Sequence, residues 1–171
     1  LKDLGAQQYF AAIVDDNPDE MLGSDGLKQS LSAALGIREN LFKVQILSNL
    51  ATGVSEGRRI YGKMAAIALS QDLEGEAGGI LAKSRNICRE FTAVNPEYTR
   101  LLLKVGELPK RKPYAAIIRA IRTDDFMTAD ALQVPLRKLK AISSKILRNC
   151  KGTSSVYYDL TPKPPATIEF E

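Results

Sequence analysis

The chain has 171 residues, 44% of them apolar, and a formal net charge of +4, enough for one compact domain or two small ones with a core. It contains no histidine, which removes the commonest general base and the commonest metal ligand at neutral pH; no metal site, cofactor or catalytic residue is expected. No run of about 18 apolar residues occurs and the N-terminal stretch lacks the basic-then-apolar order of a secretory signal, so an intracellular setting with no membrane contact is expected. The first residue is Leu rather than Met, which fits a trimmed chain or a piece of a longer one.

The first hundred residues read as helical almost throughout. "YFAAIV" (9–14) runs into the acidic turn "DDNPDE", expected to be a solvated loop. "SDGLKQSLSAALGI" (24–37) has polar capping residues, then Leu27, Leu31, Ala34 and Leu35 at helical spacing, with Gly36 as a stop. Further helices are expected over 38–52, 55–73 and 78–94, followed by a short one near Pro96. "ELPKRKP" combines two prolines with three consecutive cations and marks a domain boundary, with an all-helical oligomerisation or docking domain at 1–106 and a basic linker at 107–112. Beyond it, "PYAAIIRAIR" and "MTADALQV" read as helices, the second opened by Thr128, and Pro135 suits the first turn of a longer helix over 136–148. After Asn149 the pattern turns to period two: Val156, Tyr158 and Leu160 share one face, as do Ala166, Ile168 and Phe170, with the proline-rich "TPKPP" as the loop between two strands. No internal repeat is evident. Cys88 and Cys150, lacking Cys or His neighbours at ligand spacing, are expected to be free buried thiols.

Charge is segregated along the chain. Residues 1–103 carry −2, residues 104–151 carry +8 and residues 152–171 carry −2. Within the basic block, the helix over 136–148 places Leu136, Leu139, Ile142, Ile146 and Leu147 on one stripe and Arg137, Lys138, Lys140, Ser144, Lys145 and Arg148 on the opposite arc. No acidic residue occurs from Leu136 to Lys151 to offset these cations. Such a face attracts phosphates; the alternative is a solvated cationic surface.

Helix, short helix, turn, longer helix and hairpin over 113–171 resemble a winged helix-turn-helix domain, with the small Ala129 at the helix crossing and Leu132, Val134, Leu139 and Ile142 at its apolar slots. Gln133 departs from the glycine frequent in that turn. The resemblance implies a mainly α fold with a helical N-terminal domain and a C-terminal winged helix carrying a two-stranded β-hairpin. It also implies that Arg137 reads a base edge in the major groove, while Lys138, Lys140, Ser144, Lys145 and Arg148 contact phosphates and Lys163 is the wing contact. Lys110, Arg111 and Lys112 of the linker add to the same basic surface.

Three motifs weigh little. "GRRIYGKM" (57–64) has the glycine and lysine spacing of a phosphate-binding loop, but Met64 replaces the hydroxyl residue. "EGEAGG" (74–79) offers amides at a helix start, or an interhelical turn. "LSAALGIRENLFKVQI" (31–46) also resembles a helix-turn-helix, with Gln45 at a slot that should be apolar. The sequence reading is therefore a non-enzymatic, sequence-specific DNA-binding protein, a transcription regulator or a replication or partition factor. It binds double-stranded DNA, with RNA open, and assembles as a homodimer or larger through its N-terminal helices. The alternative is an assembly or interaction module of a viral or multi-subunit complex.

Overall fold

The computed structural model describes residues 7–18, 25–70, 74–125 and 127–170. They form a mixed α/β fold, not a mainly α one: strands β1 (Gln8–Asp15), β2 (Phe42–Ser55), β3 (Arg58–Leu69), β4 (Tyr98–Glu107), β5 (Tyr114–Arg122), β6 (Asp130–Ala131) and β7 (Thr153–Asp159) belong to one sheet. Helices α1 (Asp25–Leu35), α2 (Glu74–Ala82), α3 (Ser84–Val94) and α4 (Leu136–Asn149) accompany it. The stretches expected as helices over 38–52, 55–73 and 113–122 are strands β2, β3 and β5, and the segment after Pro96 is β4. Their sequences explain the exchange. In "MAAI", "RLLL" and "AAIIRAI" both faces of the strand are covered, so the apolar run is nearly continuous and carries no period-two signal.

The strand order is β1-β5-β7-β4-β3-β2, with β6 pairing the end of β5. Strands β2 and β3 form an antiparallel hairpin whose two-residue turn, Glu56 (φ 50°) and Gly57 (φ 73°), takes the left-handed conformation that suits strand twist. Parallel pairs β3/β4 and β5/β7 are each joined by a helical crossover, α2–α3 in the first case and α4 in the second, while β4 and β7 meet antiparallel at the centre. Each half of the sheet therefore repeats one plan, with an antiparallel outer strand, β2 or β1, flanking a parallel β-α-β unit. Residues 107–112, expected as an interdomain linker, join two strands of this single sheet.

Alternate residues divide between two cores. Ala65, Ile67, Leu101, Leu103, Ala116, Ile118, Val156 and Tyr158 face the helices and pack with Leu27, Leu31, Ile87, Phe91 and Leu139. On the opposite, inner face Met64, Ala66, Leu102, Ala115, Ile117 and Tyr157 pack with Leu47, Ala51 and Phe170. The sheet curls until its outer strands approach, and Asp15 N donates to Asn49 Oδ1 at 2.9 Å. Helix α1 spends its apolar face inside this core, which corrects the expectation of N-terminal helices free for oligomerisation. The short helix expected at Thr128 is instead the loop before β6, where Asp125 Oδ1 accepts from the Met127 and Thr128 amides at 2.9 Å.

Residues 113–171 thus contain β5, β6, α4, β7 and a C-terminal segment, not a winged helix-turn-helix. The second strand of the expected wing does not form. Residues 160–170 are an irregular strap, with cis peptides at Lys163–Pro164 and Pro164–Pro165. The stretch 31–46, which resembles a helix-turn-helix, is α1 followed by a short 3₁₀ turn and β2, and "EGEAGG" lies within α2. In "DDNPDE", Asp16 is buried and accepts from Ser154 Oγ and Ser155 Oγ at 2.5 and 2.7 Å rather than standing in solvent.

Candidate functional site

The strap follows β7 across the inner face and pairs with β2. Val54 N donates to the Pro165 carbonyl at 2.7 Å, Thr52 N to that of Phe170 at 3.3 Å, and Gly53 bridges Ala166. Gly53 allows this approach, because a Cβ there would overlap Thr99 and the Pro165 carbonyl. At its start the strap is tied to the loop before β6: Ala129 N donates to Lys163 O at 3.1 Å and Lys163 N to Ala129 O at 2.7 Å.

Beneath the strap lie three charged residues with no exposed surface, Arg100 on β4, Arg119 on β5 and Asp159 on β7. Arg119 Nη1 and Arg100 Nη1 both reach Asp159 Oδ2, at 2.8 and 3.2 Å. One carboxylate does not balance two guanidiniums, and most of the remaining donors turn to the strap, while Arg100 Nη2 also donates to Thr52 O of β2 at 3.1 Å and Arg100 Nε has no partner among the described residues. Arg119 Nε donates to Ile168 O at 2.9 Å, Nη2 to Thr167 O at 3.1 Å and Nη1 to Thr161 O at 2.8 Å. Arg100 Nη1 donates to Thr167 O at 3.0 Å, and its Nη2 to Glu169 O at 2.7 Å and Thr167 Oγ1 at 2.9 Å. Phe170 closes the arrangement with its ring centroid 4.6 Å from the Arg100 guanidinium. Burial pushes Arg100 down to about 10, with Asp159 opposing and Arg119 assisting that shift, so the group remains a cation at neutral pH. The network therefore buries an excess positive charge under a fixed, irregular backbone.

The strap leaves Glu169 and Pro164 exposed and Lys163 half-buried. On the neighbouring hairpin Val54, which holds Pro165, is the register partner of Arg59, so the exposed Arg58 and Arg59 stand across β2 from the strap, two strand spacings or about 10 Å by sheet geometry. This is where "GRRIYGKM" falls, as the turn and first half of β3 and not as a helix face. Beside Lys163, a cavity of about 280 Å³ is lined by Arg122, Thr123, Asp124, Thr128, Ala129 and Asp130.

The residues singled out in the sequence separate into two places. Arg137, Ser144, Lys145 and Arg148 are exposed on α4, and Lys138 and Lys140 are half-buried there, while Leu139 and Ser143 face the core on the helix side of the sheet. Lys140 lines a groove of about 260 Å³ with Leu136, Gly106 and the Lys104–Glu107 ion pair. Lys110 and Arg111 are exposed and Lys112 half-buried on the β4–β5 connection. Lys163 alone belongs to the strap, so the structure does not unite these residues into one surface. The residues that build the strap site, Arg100, Arg119, Asp159 and Thr167, escaped the sequence reading. Their signal was the lone charge inside an apolar run, in "YTRLLL", "AAIIRAI" and "VYYDL".

The sequence model of the GMP synthase C terminal domain family matches residues 81–170, more than half of the chain, from the end of α2 through the whole strap. The chain belongs to the GMP synthase C-terminal domain family. Among similar proteins, a subunit of the glutamine-hydrolysing GMP synthase of Sulfurisphaera tokodaii is 34% identical over 171 residues, all of this chain and 40% of the relative. Its namesake from Saccharolobus solfataricus is 39% identical over 136 residues, 80% of this chain and 32% of the relative. The glutamine-hydrolysing GMP synthase of Agathobacter rectalis is 53% identical over 58 residues, 34% of this chain and 11% of that protein. The chain thus spans well under half the length of these relatives. Membership of this family overturns the reading as a winged-helix, non-enzymatic DNA-binding regulator with duplex DNA as its partner, because the relatives of this GMP synthase C-terminal domain are metabolic enzymes. Among the described residues no helix is long and apolar enough to cross a membrane.

Proposed function

We propose that this chain supplies the C-terminal domain of a glutamine-hydrolysing GMP synthase and that its strap holds the nucleotide. The observation that carries the reading is the strap itself, an irregular segment within the family match, fixed from below by two buried guanidiniums. A product named GMP is a purine nucleoside monophosphate, and glutamine hydrolysis supplies nitrogen for its exocyclic amino group. Its acceptor is therefore a nucleoside monophosphate carrying oxygen at that position. A phosphate dianion needs cations, and Lys163 on the strap with Arg59 on the adjacent hairpin provide a point charge and a planar fork. Glu169, exposed near the other end of the strap, offers an acceptor to ribose hydroxyls or base N–H groups. Glutamine hydrolysis itself falls to other parts of the enzyme. This chain has no histidine to activate a thiol: Cys88 is buried, and the exposed Cys150 lacks that base.

Binding of GMP and of guanosine to the assembled synthase tests the reading. Wild type is expected to prefer GMP, and Lys163→Ala and Arg59→Ala are each expected to weaken GMP by about tenfold or more while leaving guanosine unchanged, as loss of a charge-assisted contact requires. Equal GMP affinity in wild type and both variants overturns it.

A further inference from the structure

Resting on the nucleotide reading above, we infer that Arg100, Arg119 and Asp159 are positioning residues: they act on the nucleotide through the strap, by fixing its carbonyls before the ligand arrives, and touch no substrate themselves.

Charged groups withdrawn from water lose solvation that their mutual attraction returns only with good geometry, and apolar replacements of similar volume are often neutral or stabilising. The inner face supplies the apolar alternative on the same strands, since Leu102 follows Arg100 by two residues, Ile117 precedes Arg119 by two and Tyr157 precedes Asp159 by two. Three buried charges standing in line with those residues provide something that packing does not, namely directed hydrogen bonds to the backbone of a segment that lacks regular structure.

The targets of those bonds are specific. Thr167 O receives both guanidiniums, at 3.0 and 3.1 Å, and the neighbouring carbonyls of Ile168 and Glu169 receive one each, at 2.9 and 2.7 Å. Three consecutive peptide groups are thereby fixed, which determines where the Glu169 side chain leaves the backbone. Thr161 O, bonded to Arg119 at 2.8 Å, fixes the chain two residues before Lys163, and the Ala129 bridge fixes Lys163 itself. Asp159 orients both arginines and also accepts from Thr161 N at 2.9 Å, so a single carboxylate links the network to the strap's first residues. A ligand binding such a segment does not bear the entropy of ordering it.

The charge imbalance gives a clean test. Removing Arg119 leaves Arg100 and Asp159 as a balanced pair, so Arg119→Gln is expected to fold. In the assembled synthase we expect it to weaken GMP binding at least tenfold and to raise the nucleotide KM by a similar factor with kcat within threefold. Arg119→Lys, which keeps the charge and part of the donor set, is expected to recover part of the affinity. Ile117→Val, two residues away on the same strand, serves as a stability control and is expected to leave GMP affinity unchanged. An unchanged affinity in Arg119→Gln, or equal weakening in Ile117→Val at matched melting temperature, overturns the inference. Should Arg119→Gln not fold, Thr167→Val removes the hydroxyl that Arg100 Nη2 reaches at 2.9 Å, and an unchanged GMP affinity in that variant overturns it equally. If Lys163→Ala weakens GMP and the Arg119 variants do not, only this inference fails. If Lys163→Ala also has no effect, the nucleotide reading itself is lost.

Discussion

Cys88 lies on α3 with its Sγ 3.5 Å from the Leu160 carbonyl, and burial, with the Asp159 charge beside it, pushes its thiol well above the ordinary range. Cys150, just past the C-terminal end of α4, is exposed, so the expectation of two buried thiols holds for one of them only. Thiolate is the reactive form, and a buried neutral thiol is inert. In the folded protein an aromatic disulfide reagent at pH 8 is expected to modify Cys150 alone, with Cys88 reacting only after denaturation. Two rapidly reacting thiols under native conditions would place Cys88 outside the core. The same shift ties stability to pH. An acid whose folded pKa is raised keeps its proton in the native state, so its contribution is complete below the unfolded value, about 8.5 for a thiol and about 10 for a phenol, and is lost as pH rises through the folded one. Tyr157 and Tyr158, both raised chiefly by burial, add to that loss. Urea midpoints are therefore expected to fall from about pH 9 upward, and a midpoint that rises over that interval would contradict the assignment.

Helix α4 approaches β4 where the strand carries Gly106, at an irregularity in the β4–β7 register, and Ser143 of the helix sits directly above it. A Cβ at Gly106 would overlap Ser143 Oγ and crowd Ser143 Cβ. Gly106→Ala is expected to destabilise the protein by roughly 1–3 kcal/mol, the usual cost of overpacking, and Ser143→Ala in the same chain is expected to return part of it. Additive urea-denaturation losses in the double variant would show that the two elements do not meet there. At this scale α1 and α4 were legible in the sequence because each is amphipathic, with polar residues on the outer arc. β7 was legible as a strand from the period-two placement of Val156, Tyr158 and Leu160, although the structure buries both of its faces. β2, β3 and β5 were not, since alanine, leucine and isoleucine in their doubly covered stretches give the same composition as a buried helix. The strap read as a strand because Ala166, Ile168 and Phe170 alternate. What that pattern did not contain is the partners of the strap carbonyls: those of Thr167, Ile168 and Glu169 accept from guanidiniums on strands 40 or more residues away.

The whole molecule is organised across the segment that looked like a boundary. β4 precedes residues 108–113 and β5 follows them, yet β7, the strand between those two in the sheet, pairs with both, parallel to β5 and antiparallel to β4. The repeated plan of the two halves was invisible in the sequence because its outer strands enter in different order: β2 directly precedes β3, whereas β1 stands far from β5 in the chain. The strap then binds the halves together, with Arg100 and Thr52 on one side and Arg119 and Asp159 on the other. Residues 113–171 expressed alone would expose the β7 edge that β4 covers and the β5 edge that β1 covers, together with the apolar faces of Ile117, Ile118, Val156 and Tyr157. They would also leave Arg119 and Asp159 without Arg100, and the strap without Thr52 and Val54. This fragment is therefore expected to show no cooperative unfolding transition by circular dichroism and to aggregate, while a chain spanning residues 7–170 unfolds in one step. A sharp, reversible melt of the 113–171 fragment would restore the boundary at the basic connection and divide the sheet into two independent units.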